Sequence, residues 1–141
     1  MDREAMAKAV GDSMWREDRA SKWLGMKMEE LKPGYARLSM TVTEQMANGQ
    51  AMCHGGLIFT LADSSFGFAC NSHNQRTVTQ HCAITFVAPG KLGDRLIARC
   101  IERQRAGRSG IYDATVTRED GAAIAEFRGL TRTIEGKLIE G

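Results

Sequence analysis

The central third of the chain is almost free of charge, and this feature most constrains the fold. Of the 46 residues between Glu44 and Lys91, only Asp63 and Arg76 are charged, whereas the other 95 residues carry 34 charges. The chain has 141 residues, which is room for one domain and no more. We therefore expect one domain over residues 1–141, with its core built from this central window.

The composition argues against several classes of protein. The uncharged stretch Gln45–Ala62 contains three amides, one His and three glycines, whereas a membrane-spanning helix needs about 20 mostly apolar residues. A net charge of +2 gives no general attraction for nucleic acid or for an anionic membrane. The opening residues MDREAMAKAV are not a secretory signal, and the four cysteines lack CxxC spacing. These features predict a cytoplasmic protein with reduced thiols.

The hydrophobic pattern predicts two helices and at least five strands. An amphipathic helix is expected from Arg3 to Trp15, continuing towards Leu24. The run His54–Ser72 has apolar residues on every side, so it predicts a long helix that is buried all round. Strands are predicted at Tyr35–Val42, Thr77–Val87, Arg95–Gln104, Ser109–Thr117 and Ala122–Thr133. The pattern favours an α+β domain in which an antiparallel β-sheet wraps around a long central α-helix.

Asp63 stands in the middle of this apolar helix. A buried carboxylate costs several kcal/mol unless it is paired or neutralised. No Lys or Arg lies three or four positions away on the helix, because positions 59, 60, 66 and 67 are Phe, Thr, Phe and Gly. This pattern favours a functional carboxylate. The structural alternatives are a side chain that reaches water and one that is hydrogen-bonded to Thr60.

The second candidate feature is His54-Gly55-Gly56 at the start of the helix. Two glycines expose backbone N–H groups at the positive end of the helix dipole, where an oxyanion is stabilised. Glycine is also a common helix cap, so a purely structural role stays open. Gly55 and Asp63 are eight residues apart, which is about 12 Å along a helix. One carbonyl cannot contact both within a subunit, so a shared site predicts a dimer with antiparallel helices.

The segments NGQAMCHGGLIFTLADSSFGFACNS and ITFVAPGKLGD resemble the PaaI-type hot-dog-fold acyl-CoA thioesterases, over about Trp15–Thr133. The resemblance implies a hot-dog fold and hydrolysis of a CoA thioester, with no cofactor and no metal. It implies a homodimer at minimum, usually paired into a homotetramer. It assigns the carbonyl-polarising amide to Gly55 and the carboxylate from the neighbouring subunit to Asp63. The family's Asn before the helix corresponds to Asn48. Its hydroxyl residue on the following strand corresponds to Thr79, where relatives often have Ser.

Other residues take supporting roles in this interpretation. His54 is expected to shape the turn by packing or hydrogen bonding rather than to act as a base. Gly56, next to Gly55, is expected to contact the substrate. Lys91 and Arg108 are candidates for binding the CoA phosphates. Whether the helix carboxylate attacks the carbonyl or activates water stays open. Phenylacetate-pathway relatives make an aryl-acetyl group, such as phenylacetyl or hydroxyphenylacetyl, the expected acyl group.

The sequence is also compatible, to different degrees, with four other functions. A metal site would use the Cys and His residues of the central window. Two pairs of these residues are adjacent in sequence, and adjacent residues seldom bind one ion. A serine hydrolase is disfavoured because Ser64 and Ser65 lie inside a helix, with no G-x-S-x-G motif. A hot-dog 3-hydroxyacyl dehydratase and a non-catalytic acyl-CoA-binding protein remain as alternatives. The residues of the metal hypothesis are Cys53, His54, Cys70, His73, His81 and Cys82.

Overall fold

A computed structural model describes residues 1–141 of the chain. Its helices are α1 (Arg3–Glu17), α2 (Arg19–Trp23) and α3 (Gly55–Asn71), with a short 3-10 helix at Glu44–Met46. Its strands are β1 (Lys27–Lys32), β2 (Tyr35–Thr41), β3 (Thr77–Phe86), β4 (Arg95–Ala106), β5 (Ser109–Arg118) and β6 (Ala123–Thr133). None of the helices has the length and apolarity that crossing a membrane requires.

The six strands form one antiparallel sheet in the order β1-β2-β4-β5-β6-β3. Helix α3 contacts all six strands, so the sheet wraps around it. This confirms the predicted α+β architecture, which is that of the hot-dog fold. Because β3 pairs only with β6, it is an edge strand of the sheet, and β1 is the other edge.

The core forms where α3 meets the concave face of the sheet. Phe66 of α3 is fully buried, and its ring centroid lies 5.8 Å from that of Tyr112 and 5.4 Å from that of Phe127. Such tilted and edge-on aromatic pairs are favourable beyond their buried area. On β6, a Cβ atom at Gly129 would overlap the Phe66 ring, so glycine is required for the helix to approach the sheet.

The N-terminal helix differs from the prediction. Instead of continuing towards Leu24, it breaks at Asp18, whose backbone is extended. The Asp18 carboxylate accepts hydrogen bonds from the backbone N–H of Ser21 at 2.9 Å and from the Ser21 hydroxyl at 2.7 Å. This is an N-cap, and it starts the separate helix α2. Strand β1 was not predicted, because its sequence KMEELK is rich in Lys and Glu, which are depleted in strands.

Helix α3 is not buried all round, contrary to the prediction. One stripe remains accessible, with its members spaced four, three and four residues apart along the helix. No segment of this chain packs over that side. We call these residues the α3 stripe: Gly56, Thr60, Asp63 and Gly67.

Candidate active site

The start of α3 presents one unused backbone N–H group. His54 is the N-cap residue, and its Nδ1 accepts a hydrogen bond from the Gly56 N–H at 3.0 Å. The Gly55 N–H has no acceptor in the chain. It therefore remains available to an anion or an oxyanion at the positive end of the helix. The neighbouring Gly56 N–H, by contrast, is already occupied by the His54 ring.

The Phe86 ring explains why position 55 carries no side chain. A Cβ atom on Gly55 would lie 3.2 Å from the Cζ atom of Phe86 and within 3.6 Å of two further ring carbons. Phe86 is the last residue of β3 and is 48% exposed. It thus forms a wall beside the free Gly55 N–H. Phe86 was not among the predicted site residues, although its strand was predicted at Thr77–Val87.

An open cleft of about 420 Å³ lies at this end of α3. Asn48 and Gly55 both line it, so the structure brings these two predicted residues together. The remaining lining is mostly apolar and includes Met52, Ile58, Phe86, Val87 and Pro89. Apolar walls with a few polar groups are typical of sites that bind small molecules.

Asn48 organises the loop that precedes α3. Its side-chain Oδ1 accepts hydrogen bonds from the backbone N–H groups of Gln50 at 2.9 Å and Met52 at 3.3 Å. Its backbone N–H donates to the Met52 carbonyl at 2.7 Å. The Nδ2 of Asn48, a residue that lines the cleft, has no hydrogen-bond acceptor in the chain and is a free donor.

Asp63 is a half-buried carboxylate without any partner. Its side chain makes neither an ion pair nor a hydrogen bond. Burial raises the pKa of Asp63 above the ordinary value of an aspartate. On β3, burial and then the Asp63 charge raise the pKa of the Cys82 thiol, so the carboxylate lies near this strand. Asp63 does not line the Gly55 cleft, because about 12 Å of helix separates the two.

Thr79 lies on the same side of the sheet as Asp63. It pairs across the strands with Thr131 of β6, which is 2% exposed and faces the core. Because residues directly opposite each other share a face of the sheet, Thr79 also faces the α3 side. It remains exposed only because β3 is an edge strand.

The two predicted phosphate-binding residues lie at opposite ends of the molecule. Lys91 forms a β-bridge with Met52 and is exposed at the rim of the cleft. Arg108 lies in the turn between β4 and β5, where its carbonyl accepts the Thr133 N–H at 2.7 Å. Thr133 is paired with Thr77, the first residue of β3, whereas the cleft lies at the last residue of that strand.

The Cys and His residues of the metal hypothesis do not converge on one point. The chain contains no group of three His, Cys, Asp or Glu residues placed to hold a metal ion. His73 instead contacts Glu102, with its Nε2 atom 2.8 Å from the carboxylate Oε1. All four cysteines are free thiols.

Comparison with known proteins agrees with this architecture. Residues 50–125 match the model of the thioesterase superfamily. The acyl-coenzyme A thioesterase PaaI of Escherichia coli (strain K12) is 38% identical over 126 residues, which are 89% of this chain and 90% of that protein. The chain belongs to the thioesterase superfamily, and it is a thioester hydrolase.

Within this family the chain is similar to PaaI-type enzymes. The solved structure of E. coli PaaI, from the phenylacetic acid degradation operon, superimposes with a TM-score of 0.94 at 36% identity. The match covers 96% of this chain and 99% of that one. A Streptococcus mutans UA159 protein solved with bound acetyl CoA gives a TM-score of 0.75 at 27% identity, covering 79% of this chain and 90% of that one.

Proposed function

We propose that this thioester hydrolase acts on acyl-CoA, and that each active site is shared between two protomers. The observation that carries the proposal is the separation of two unused groups on one helix. The free Gly55 N–H and the unpartnered Asp63 carboxylate are complementary in chemistry, yet about 12 Å of helix lies between them. Support for the substrate class comes from the E. coli relative, which is named as an acyl-CoA thioesterase.

The dimer uses the exposed edge of β3. An edge strand presents unpaired backbone groups that favour pairing with another strand. This edge also exposes apolar side chains, with Val78 43% and Phe86 48% accessible. Antiparallel pairing of two β3 strands across a two-fold axis continues the sheet and sets the two α3 stripes against each other. Asp63 of one protomer then approaches Gly55 of its partner. Two such dimers form the homotetramer that the family resemblance implies.

The Gly55 amide acts on the thioester carbonyl. Its N–H donates a hydrogen bond to the carbonyl oxygen, and this bond strengthens as negative charge develops on that oxygen. The helix dipole acts in the same direction. The free Nδ2 of Asn48 supplies a second donor on the same wall of the cleft, where it orients the thioester.

The partner's Asp63 supplies the carboxylate. As a general base it takes a proton from water while the water oxygen attacks the carbonyl carbon. The C–S bond then breaks, and the proton passes to the CoA thiolate. As a nucleophile it instead attacks the carbonyl carbon and forms a mixed anhydride as the C–S bond breaks and the CoA thiolate leaves, to be protonated by water. A second water then hydrolyses the anhydride, which releases the free acid and restores the Asp63 carboxylate. In both routes the hydroxyl of Thr79, on the same side of the sheet as Asp63, holds the water.

The cleft favours an acyl group with apolar character, such as aryl-acetyl. The ring of Phe86 and the side chains of Ile58 and Val87 lie beside the Gly55 amide. An aromatic acyl group gains from contact with another aromatic ring. Phenylacetyl-CoA and hydroxyphenylacetyl-CoA are the proposed substrates, in keeping with the phenylacetic acid degradation operon that encodes the E. coli relative.

A thiol-release assay across aryl-acetyl-, short-chain and long-chain acyl-CoAs tests this function. We expect release of free CoA, fastest with the aryl-acetyl thioesters. Asp63→Ala should lower kcat about 10²–10⁴-fold, the range of a general base. Asp12→Ala is the matched control, because this exposed residue pairs only with Lys8. No thiol release from any thioester, or full activity in Asp63→Ala, would contradict the proposal.

The dehydratase alternative is not favoured by the geometry. That reaction needs a His and an acid at one site, whereas the His54 Nδ1 is engaged by the Gly56 N–H. Chromatography of a reaction with a 3-hydroxyacyl-CoA separates the two, since a dehydratase removes water to yield an enoyl thioester and releases no thiol.

A further inference from the structure

Helix α3 and strand β3 run in opposite directions, and two observations show which of their residues are level. A Cβ atom on Gly55 would lie 3.2 Å from the Phe86 ring, so the start of α3 is level with the end of β3. The Asp63 charge, after burial, raises the pKa of the Cys82 thiol, so these two residues are level as well. Gly55 and Asp63 are about 12 Å apart along the helix, and Phe86 and Cys82 are about 13 Å apart along the strand. The two spacings agree.

The free edge of β3 points the backbone groups of every second residue away from the sheet. The Val87 N–H donates to the Ile124 carbonyl of β6 at 2.8 Å, so Val87 directs its backbone towards β6. In an antiparallel ladder this direction alternates from one residue to the next. The N–H and C=O groups of Cys82, Ile84 and Phe86 therefore point outward, where a second strand can pair with them.

The side chains of these three residues lie on the α3 side of the sheet. Their partners on β6 are Gly129, Phe127 and Ala125, in the same order. Phe127 and Ala125 are buried in the core, and Gly129 faces the Phe66 ring. Residues directly opposite each other share a face of the sheet. Two β3 strands can therefore pair only with residues of this set opposite one another, which puts a two-fold axis on a residue rather than between two.

A β-bulge limits the part of β3 that can pair regularly. Gln80 has no partner on β6, because the pairing skips from Thr79 to His81. An extra residue of this kind bends a strand. The regular edge therefore runs from His81 to Val87, whose N–H still bonds to β6. Ile84 is the middle residue of this segment.

We propose that the two-fold axis of the dimer passes through Ile84, which sets the partner's Cys82 beside Phe86 on the floor of each Gly55 site. The inference rests on the proposed function and on its β3-paired dimer. With Ile84 opposite its own copy, Phe86 lies opposite the partner's Cys82. The partner's Asp63 is then level with Gly55, as the shared site requires. An axis on either neighbouring residue would displace that carboxylate by two residues of strand, about 7 Å.

In this register Cys82 contributes to acyl-group specificity. It forms a hydrogen-bonded pair with the partner's Phe86, with Cα atoms about 5.5 Å apart, on the face that lies between the two α3 helices. The Phe86 ring gives an aromatic acyl group a flat contact, and the smaller Cys82 side chain leaves room for the ring of that group. With its raised pKa the thiol is uncharged at neutral pH and acts as a small apolar surface.

Disulfide cross-linking tests the register without depending on activity. Ala83 and Thr85 are exposed on the outer face of the sheet, and the proposed register sets them opposite each other across the axis. They form a pair without hydrogen bonds, with Cα atoms about 4.5 Å apart, which a disulfide can bridge. Hybrids of one Ala83→Cys and one Thr85→Cys subunit, purified through two different tags, should form covalent dimers at least tenfold faster than either variant alone.

Each other cross-linking result would overturn the register. Fastest cross-linking of Ala83→Cys alone would put the axis on residue 83, and fastest cross-linking of Thr85→Cys alone would put it on residue 85. Absence of a covalent dimer in verified hybrids would show that the two positions are not opposite. The wild type is the control, because its two Cys82 thiols are about 13 Å apart along the paired strands.

Bulk at position 82 tests the role in specificity. Cys82→Phe should lower the ratio of kcat/KM for phenylacetyl-CoA to that for acetyl-CoA at least tenfold, because the added ring takes the space of the aryl group. Cys82→Leu, a smaller change, should lower it in the same direction. Ala83→Phe is the matched control, since this neighbour lies on the outer face, and it should leave the ratio within twofold. An unchanged ratio in both Cys82 variants would contradict the proposal.

Mixed dimers test which protomer provides Cys82. A hybrid of one Gly55→Val and one Cys82→Phe subunit keeps a single intact Gly55, and the proposal places the wild-type Cys82 of the other subunit beside it. The hybrid should therefore show the wild-type ratio. The lowered ratio of Cys82→Phe in verified hybrids would place Cys82 in the site of its own chain and overturn the inference. Failure of the proposed function is a separate result, because the wild type would then release no thiol while the cross-linking pattern stays measurable.

Discussion

The position of Asp63 on α3 is unfavourable for folding stability but useful for catalysis. Its carboxylate is half-buried on α3, without an ion pair or a hydrogen bond, and burial raises its pKa. A group whose pKa is higher in the folded than in the unfolded chain holds its proton more tightly when folded. Ionising it therefore costs folding free energy, and that cost grows as the pH rises through the interval between the two pKa values.

This reasoning predicts that Asp63→Asn stabilises the protein at neutral pH while removing turnover. The free energy of unfolding at pH 7 should exceed that of the wild type, and the difference should vanish below an ordinary aspartate pKa of about 3.9. Urea titrations at a series of pH values measure it. Asp113→Asn is the control, and it should instead lower the free energy of unfolding at pH 7. Hydrogen bonding from Arg128 lowers the pKa of Asp113, so its charged form stabilises the fold. Lower stability of Asp63→Asn at pH 7 would contradict this account.

At this scale the sequence predicted much of what the structure displays. The absence of a cation three or four positions from Asp63 indicated a carboxylate with no partner on its own helix, and the structure adds that no other element supplies one. The Gly55-Gly56 pair indicated free amides, but not which of them is free. That depends on the rotamer of His54, whose ring takes the Gly56 N–H. The contact of Phe86 with Gly55 joins residues 31 positions apart, which no local pattern encodes.

Strand β3 and helix α3 are the elements on which the site depends. Strand β3 was predicted from its β-branched and aromatic residues, and its bounds agree with the structure within one residue. Its place at the edge of the sheet follows from the strand order, which local pattern does not determine. The apolar pattern of α3 predicted complete burial. The structure instead leaves the α3 stripe accessible beside that edge, and a second chain is proposed to cover both.

Helix α3 approaches the sheet closely only because β6 carries a glycine. Gly129→Ala should lower the free energy of unfolding by about 1–3 kcal/mol, the usual cost of overpacking a core, because its Cβ would overlap the buried Phe66 ring. Chemical denaturation measures the change. Gly49→Ala is the matched control, since a Cβ there meets nothing within 4 Å. Equal stability of the two variants would show that the helix can shift away from the sheet at no cost.

The whole molecule has a net charge of only +2, yet its charge is unevenly placed. The central window is nearly uncharged, and its only carboxylate, Asp63, lies about 12 Å along α3 from the free Gly55 N–H. A single chain thus holds an amide and a carboxylate that cannot meet on one substrate. In the proposed two-fold dimer these groups meet across the interface, which gives two equal sites.

The sequence alone predicted a dimer from the separation of eight residues between Gly55 and Asp63 on one helix. It could not indicate the β3 edge that is proposed to join the protomers, because edge position and exposure arise only when all six strands are arranged. Nor could it show that Lys91 and Arg108, both predicted to bind the CoA phosphates, lie far apart in the fold. Their positions at opposite ends of β3 depend on the pairing of Thr77 with Thr133.

The most direct test of the shared site mixes two inactive variants. Asp63→Ala lacks the carboxylate, and Gly55→Val places a side chain against Phe86 in the cleft. In a dimer of one of each, one site has lost both groups, and the other keeps Gly55 from one subunit and Asp63 from its partner. Random mixing in equal amounts should restore about a quarter of wild-type thioesterase activity, with hybrids counted by native mass spectrometry. Verified hybrids that stay as inactive as the parent variants would contradict the account.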